Sequence, residues 1–560
     1  MAQARLGLKR PRIVQQAVND LATASNEDRG AILTRPEVVR FILDLAGYTT
    51  DQNLCSFRLL DPSCGHGAFV CEAVSRLLTS GQPAVEQIEG AIRAVELNDA
   101  SYRRTRKRLH DLLSNADIDP AGIDHLLDAW VTQDDFLLAD IEGPFTHVVG
   151  NPPYIRHEQI PDVLTAAYKQ RYDCIQGRAD LYVPFIERGL DLLSADGQLA
   201  YICPDRWVKN AYGKGLRRRI DRAFHVSAFV DMTGTAAFAQ KATAYPSIFL
   251  IERARSSSAS TSIVRRPAID DLTALVAPLR QQKKNARVHV LPRVTDDDQP
   301  WLLDRPEEVA ILRGIEERFP TIEDIGCKVG IGVATGADDI FVRQSLPVEG
   351  SRQLPVVKTA DIQEGKLDWG GYHVLNLFNT DGSLVDLSEY PKLAVYLKKH
   401  EERIRNRYIA RKYPDQWYRT IDKIHTALLK RPKLLIPDIK GEAAVAYDPG
   451  SLYPHHNVYY VVSDDWDLQA LQAVLRSTIA EFFIAIYSVW MRGNYLRFQA
   501  QYLRRIRVPR WDDVSRTMRD RLREAARQDQ SACDTVTFDL FGLSDREAAV
   551  IRAAVGDVKS

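Results

Sequence analysis

Apolar and polar positions alternate in two distinct textures along the chain. Over residues 1–255, short apolar, β-branched runs alternate with longer segments whose apolar residues recur at helical spacing, the pattern of a parallel sheet wound with helices. Thr34-Arg35-Pro36-Glu37 followed by Val38, Val39, Phe41, Ile42 and Leu45 predicts a helix capped by Thr34, with Pro36 in its first turn and Gly47 ending it. A strand at 57–60 runs into the small-residue turn Asp61-Pro62-Ser63-Cys64-Gly65-His66-Gly67-Ala68-Phe69, after which Val70, Ala73, Val74 and Leu77 resume helical spacing. A second strand, 88–95, ends in Glu96, and a long helix bearing Arg103, Arg104, Arg106, Lys107 and Arg108 follows. Gln133-Asp134-Asp135-Phe136-Leu137 closes the third strand. The fourth, 145–150, halts at Asn151-Pro152-Pro153-Tyr154, because proline lacks an N–H and fixes φ.

Beyond Glu252 the pattern loosens. Residues 253–262 are Ser/Ala-rich and 263–310 are mixed and punctuated by proline, which predicts linker and accessory elements rather than a further core. From Ile322 the alternation returns, including 329–336 and 339–342, and residues 516–560 read as a charged helical tail. The expected organisation is therefore a doubly wound α/β domain over 1–255, linker and accessory elements over 256–315, a mixed α+β domain over 316–515 and a tail over 516–560.

Composition changes this picture little. With 560 residues, 45% apolar and 26% charged, the chain is long enough for several domains with real cores. Lysine plus arginine equals aspartate plus glutamate, 74 each, so net charge announces no polyanionic partner and only its distribution can. The seven cysteines form no C-x-x-C pair, so no zinc knuckle, other metal site or disulfide framework is expected. No apolar signal core and no run of about 18 apolar residues occurs, which predicts a cytoplasmic protein with no membrane span.

The strand ends carry the chemistry. Ser63, Gly65 and Gly67 let backbone N–H groups approach a ligand at a helix N-terminus, the first binding turn of a doubly wound sheet. The third glycine of a dinucleotide fingerprint is missing, its place taken by Phe69-Val70, which argues against NAD. Glu96, at the tip of the next strand, suits ribose hydroxyls, and Asp135 suits an adenine amine while Phe136 packs on the ring. At the fourth tip the Asn151 side chain and the Pro152 carbonyl are two acceptors beside the flat face of Tyr154. They suit a planar group carrying an exocyclic NH2.

With these motifs in this order, the chain resembles the gamma class of DNA adenine-N6 methyltransferases, the TaqI type found in restriction–modification systems. The likeness continues through Gly177 to Tyr182, Gly197 to Ile202 and Pro204 to Trp207, and reaches Phe238-Ala239-Gln240-Lys241, which is similar to the family's Phe-Pro-Gln-Lys. It implies a Rossmann-like catalytic domain followed by a target-recognition domain. It implies S-adenosyl-L-methionine as cofactor, held by Thr34, Asp61, Ser63, Cys64, Gly65, Gly67, Phe69, Glu96, Asp135, Phe136 and Pro153. Asn151, Pro152, Tyr154 and Phe238 would act on a flipped adenine, Phe238 covering its other face; Ala239 in place of proline leaves that loop less constrained.

Charge distribution supports a DNA partner for the second half. Residues 400–440 hold eleven Lys/Arg against five Asp/Glu, interleaved with Tyr408, Tyr413, Trp417 and Tyr418, and residues 491–510 hold six Arg and no acid. Arg411, Lys412, Trp417, Tyr418, Lys423, Arg497, Arg504, Arg505 and Arg507 are the expected contacts to double-stranded DNA. The resemblance further implies a monomer near the nucleoid, with any cognate restriction endonuclease acting separately. Asn-Pro-Pro-Tyr also occurs in enzymes that methylate a protein glutamine amide or an RNA guanine. Those place their extra domain before the catalytic core, whereas here it follows. A thiol nucleophile for cytosine C5 would follow a proline, and none of the seven cysteines does.

Overall fold

The computed structural model describes residues 10–24, 32–80, 83–240, 245–253, 259–363, 365–440, 444–488 and 496–559. The chain forms two compact units, Met1–Pro306 and Glu307–Ser560.

The first unit is built on a nine-stranded sheet. Its strands are β1 (Leu59–Asp61), β2 (Ile92–Glu96), β3 (Val131–Gln133), β4 (Phe145–Gly150), β5 (Leu193–Pro204), β6 (Phe224–Asp231), β7 (Pro246–Arg253), β8 (Thr261–Arg265) and β9 (His289–Leu291), in the order β3-β2-β1-β4-β5-β7-β6-β8-β9. β3, β2, β1, β4 and β5 are mutually parallel and β7 is antiparallel to both its neighbours. Successive side chains of a strand point to opposite faces, and this sheet is covered on both. Leu59, Ala94, Val149, Ala200 and Ile202 enter one core, while Leu60, Val95, Val148, Leu199 and Tyr201 enter the other. The strand order reverses between β1 and β4, which opens a crevice at their carboxyl ends.

Three expectations are corrected. Helix Pro36–Leu45 has Arg35, not Thr34, at its N-cap; Pro36 occupies the first turn as expected, and Thr34 instead forms an isolated antiparallel bridge with Phe238. β2 begins at Ile92, because residues 85–88 form a short helical turn. The segment after Glu252 is no linker at its start: β8 pairs in parallel with β6, β9 pairs with β8, and helix Leu272–Arg280 buries Leu272, Leu275 and Leu279 in the main core. These elements extend the sheet, so the first unit ends at Pro306.

The second unit holds two four-stranded sheets. One, fully antiparallel, orders Cys327–Ile331, Val458–Ser463, Lys433–Pro437 and Ala446–Asp448; the other orders Val342–Arg343, His373–Leu375, Gln353–Val357 and Tyr453–Pro454. Lys433 and Asp448 lie opposite one another and form an ion pair of 2.7 Å with both side chains fully buried. Helix Thr478–Tyr487 is buried throughout and helix Leu468–Leu475 at every position but Gln469, and the expected tail forms Arg516–Ala525, Gln530–Phe541 and Asp545–Lys559, which pack on them. No single helix among the described residues is long and apolar enough to cross a membrane.

Candidate active site and basic surface

β1 delivers the chain to Asp61 and stops in a turn that only glycine can complete. Gly65 and Gly67 have φ of +55° and +81°, and a Cβ on Gly67 would sit 2.9 Å from the Cys71 sulfur. Gly67 opens helix Ala68–Thr79. The Gly65 N–H donates to Glu96 Oε2 at 2.8 Å, the Asn98 N–H donates to Oε1 at 2.7 Å, and the Thr105 hydroxyl donates to the Gly65 carbonyl. The acid at the tip of β2 is thereby oriented by backbone amides beside the glycine turn.

The Asn151 side chain is held in one orientation. Its Nδ2 donates to the Ile32 carbonyl at 2.9 Å and to Thr34 Oγ1 at 3.2 Å, while Oδ1 is buried with no hydrogen-bond partner. Because both amide hydrogens have acceptors, the carbonyl end is committed to accepting from something else. The Asn151 backbone carbonyl accepts from the Ser63 hydroxyl at 3.1 Å, so the glycine turn and the Asn-Pro-Pro-Tyr lip are tied directly. Among the described residues no backbone amide donates to the Pro152 carbonyl. Tyr154 packs against Tyr182 and donates to the Ile202 carbonyl at 3.3 Å.

One cavity joins these groups. It is lined by Ser63, Gly65, Glu96, Asp135, Phe136, Asn151 and Pro153, with Ile32, His66, Ser101, Phe185 and Gln240. Asp135 is buried: its Oδ1 accepts from the Leu137 N–H at 2.8 Å and its Oδ2 from the Tyr168 hydroxyl at 2.5 Å. Burial raises its pKa above the ordinary carboxyl value. Phe136 stacks against Phe185 and lies under the Arg188 guanidinium. Asp61 lies beneath the cavity, fully buried, with Oδ1 3.3 Å from the Ser63 N–H and Oδ2 without a partner; burial, with Glu96 adding a like charge, pushes it up to about 8. Cys64 is buried too, and desolvation raises its thiol well above the ordinary range, so it shapes the turn rather than reacting.

Sequence reasoning missed the groups that fix these side chains. Tyr168, Ile32 and Arg10, which grips Asp134 through two hydrogen bonds of 2.6 and 2.7 Å, meet the site from distant segments, and no motif marks them. Thr34 supports Asn151 and does not line the cavity. The Tyr154 and Phe238 rings stand edge to face, centroids 6.2 Å apart at 78°, rather than parallel as two covers of a base would be. Lys241 and Tyr495 lie outside the described residues.

In the second unit the expected DNA contacts divide into two groups. Arg411, Lys412 and Lys423 are exposed. The others are engaged by the protein: Arg497 pairs with Asp438, Arg504 with Glu323 at 2.9 Å, Arg505 stacks on Tyr487, and Arg507 donates to the Phe319 carbonyl. Tyr418 donates to the Val385 carbonyl at 2.8 Å and Trp417 lies under Arg405. Arg407, within the basic run, is buried and donates to the carbonyls of Ile404, Thr335, Trp417 and Arg419. It shapes the exposed loop instead of contacting a ligand.

Comparison with known proteins agrees with this architecture. Residues 56–238 match the Eco57I restriction-modification methylase family, and residues 356–508 match the TaqI-like C-terminal specificity domain. The chain is 49% identical to the Type II methyltransferase M.PaeR7I of Pseudomonas aeruginosa, covering 96% of each, and 44% identical to M.XhoI of Xanthomonas vasicola, covering 94% of this chain and 99% of that one. The Type IIL restriction-modification enzyme MmeI, solved in complex with DNA, shares the fold with a TM-score of 0.59 at 11% identity, over 98% of this chain and 78% of that one. With relatives at 49% and 44% identity matched over nearly their whole length, and both family models matched in order, the chain belongs to the Type II DNA methyltransferases of restriction–modification systems.

Proposed function

We propose that this methyltransferase uses S-adenosyl-L-methionine to methylate N6 of an adenine turned out of duplex DNA, protecting that DNA from a separately acting restriction endonuclease. The observation that carries the reading is Asn151: a buried amide oxygen with no partner, on a side chain whose donors are both occupied. An unmet acceptor costs on the order of 1–3 kcal/mol and is retained where a ligand supplies the hydrogen.

The cofactor fits the residues present. Glu96 would accept from the ribose hydroxyls, Asp135 and Phe136 would hold the adenine, and the turn at Ser63 to Gly67 leaves room for backbone approach. The Asp61 carboxyl, unpartnered at Oδ2 and raised to about 8 by burial, would ionise on meeting a positive centre and serve as its counter-charge. When bound, the cofactor supplies an electrophilic methyl group on a sulfonium.

The chain's own work is positional and electrostatic. Adenine N6 is a poor nucleophile because its lone pair is delocalised into the ring. Asn151 Oδ1 and the Pro152 carbonyl accept its two hydrogens and favour a localised pair, and their orientation is set before the base arrives. Unstacking the base costs a few kcal/mol, offset by contact with Tyr154 and Phe238. Their edge-to-face arrangement lets one ring meet the base with its face and the other with its edge. A glutamine-amide or RNA substrate is disfavoured by the specificity-domain match at 356–508.

Mass spectrometry of nucleosides from DNA methylated by the purified protein tests the reading, with long-read sequencing to locate the sites. N6-methyladenine at one short recurring sequence is expected. N4- or C5-methylcytosine in its place would overturn the assignment.

A further inference from the structure

In the second unit, three side chains converge in an arrangement that hydrogen bonding alone does not satisfy. His455 Nε2 lies 2.9 Å from Asp338 Oδ2 and 3.1 Å from His456 Nδ1, and His456 Nδ1 lies 3.7 Å from the same carboxylate oxygen. A ring nitrogen carries either one hydrogen or one lone pair in the plane of the ring, so His455 Nε2 cannot serve both neighbours with good geometry. If its hydrogen points to Asp338, the lone pair or hydrogen of His456 Nδ1 is left facing an occupied edge. Four-coordinate ligands at 2.0–2.1 Å from a cation stand about 3.3–3.4 Å apart, and the three observed separations bracket that spacing.

Backbone hydrogen bonds bring the segments that carry the trio together. The Val333 N–H donates to the Pro454 carbonyl, the His455 N–H to Val357 and the Val458 N–H to the His455 carbonyl. Gly332 lets the two segments meet, since a Cβ there would fall 2.1 Å from the Pro454 carbonyl oxygen. The Thr335 hydroxyl donates to Asp338 Oδ1 at 2.5 Å, fixing the carboxylate so that Oδ2 faces the histidines.

We propose that Asp338, His455 and His456 bind a divalent transition-metal ion of the zinc class through Oδ2, Nε2 and Nδ1, leaving a fourth position open. The site is structural with respect to the basic loop. Thr335, which braces Asp338, offers its carbonyl to the Arg407 guanidinium, and the adjacent Ala334 exchanges hydrogen bonds with Asp422. A bound ion would therefore pin the foot of the segment that displays Arg411, Lys412 and Lys423.

The test uses the full chain, stripped with chelator, incubated with Zn2+ and desalted, with the metal counted by atomic emission. One Zn2+ per chain is expected, and Co2+ in its place should give the visible absorption of a four- or five-coordinate site. His456→Gln and Asp338→Asn should each lower the retained metal to about a tenth or less, in line with ligand loss outweighing the 10–100-fold effect of outer-shell changes. His456→Gln removes a partly exposed side chain, so it keeps the test informative where Asp338→Asn fails to fold. Less than about 0.1 Zn2+ per wild-type chain, or full retention in the folded variants, would overturn the proposal and leave a plain His–Asp hydrogen bond.

Discussion

Asp61→Asn should stabilise the protein while weakening its grip on the methyl donor. Asp61 is fully buried and its pKa is pushed up to about 8 from an ordinary 3.8, mainly by loss of water and then by the neighbouring Glu96. A carboxyl whose folded pKa lies above its unfolded one favours the folded state fully below pH 3.8, and that contribution is lost as pH rises through the window up to about 8. Each pH unit inside the window is worth about 1.36 kcal/mol, so at pH 7 the native carboxyl costs up to about 4 kcal/mol relative to acid. Asparagine mimics the protonated acid in shape and does not titrate. Its advantage should be near zero at pH 4 and grow by up to ~1.4 kcal/mol per unit toward pH 8. Equilibrium unfolding of both proteins in denaturant across that range, without cofactor, reads the gap. A gap that does not change with pH would refute the argument. The same titration predicts that S-adenosylmethionine, carrying a cationic sulfur, binds wild type more tightly at pH 8.5 than at 6.5, whereas the neutral thioether product shows little difference.

Asn151→Ala should lower single-turnover methylation on the order of 10²-fold or more while DNA binding stays near normal, since the lost acceptor acts mainly in the transition state; an unchanged rate removes Asn151 from the chemistry. Glu96→Ala should weaken S-adenosylmethionine binding by ~1.5–3 kcal/mol in calorimetry, the scale for a hydrogen bond to a charged group; unaltered affinity would dissociate Glu96 from the ribose. Neutralising Arg411, Lys412 and Lys423 together should reduce affinity for every DNA sequence and flatten the salt dependence by roughly 0.9 log unit per lost phosphate contact, whereas the same slope in mutant and wild type would mean that these residues only solvate a surface. Lys433→Met should cost about 3–5 kcal/mol in unfolding experiments by stranding Asp448, and a neutral outcome would show that water reaches the pair.

The legible part of this molecule is the part written in local rules. Strand tips at Asp61, Glu96 and Asn151 follow from apolar runs ended by glycine or proline, and the structure brings Glu96 and Asn151 to the wall of one cavity with Asp61 buried. Thr34 misled because a threonine before Pro36 has the sequence of a helix cap, while tertiary pairing with Phe238 moved the cap to Arg35. β8 and β9 were hidden because each is short and follows a polar stretch, serine-rich before β8 and Gln/Lys-rich before β9; pairing on β6 makes β8 a strand, and pairing on β8 makes β9 one. The arginines at 497–507 read as free charge, yet Asp438, Glu323 and Tyr487 claim three of them from elsewhere in the fold. Asp338 and His455 are separated by 117 residues, a distance no spacing rule spans.

The clamp on the Asn151 amide also sets what the pocket refuses. With Nδ2 committed to Ile32 and Thr34, the side chain cannot rotate to offer a donor, so the pocket confronts any incoming base with an acceptor only. A ring bearing a keto oxygen at that position would bring lone pairs against lone pairs and leave both buried and unmet, a penalty of at least a few kcal/mol. Hypoxanthine, the deamination product of adenine, differs from it by that one exchange of NH2 for oxygen. If adenine N6 is the target, hypoxanthine has no amine left to methylate, and the clamp adds a second consequence: the deaminated base is also refused entry, so it would not occupy the pocket as an unreactive competitor.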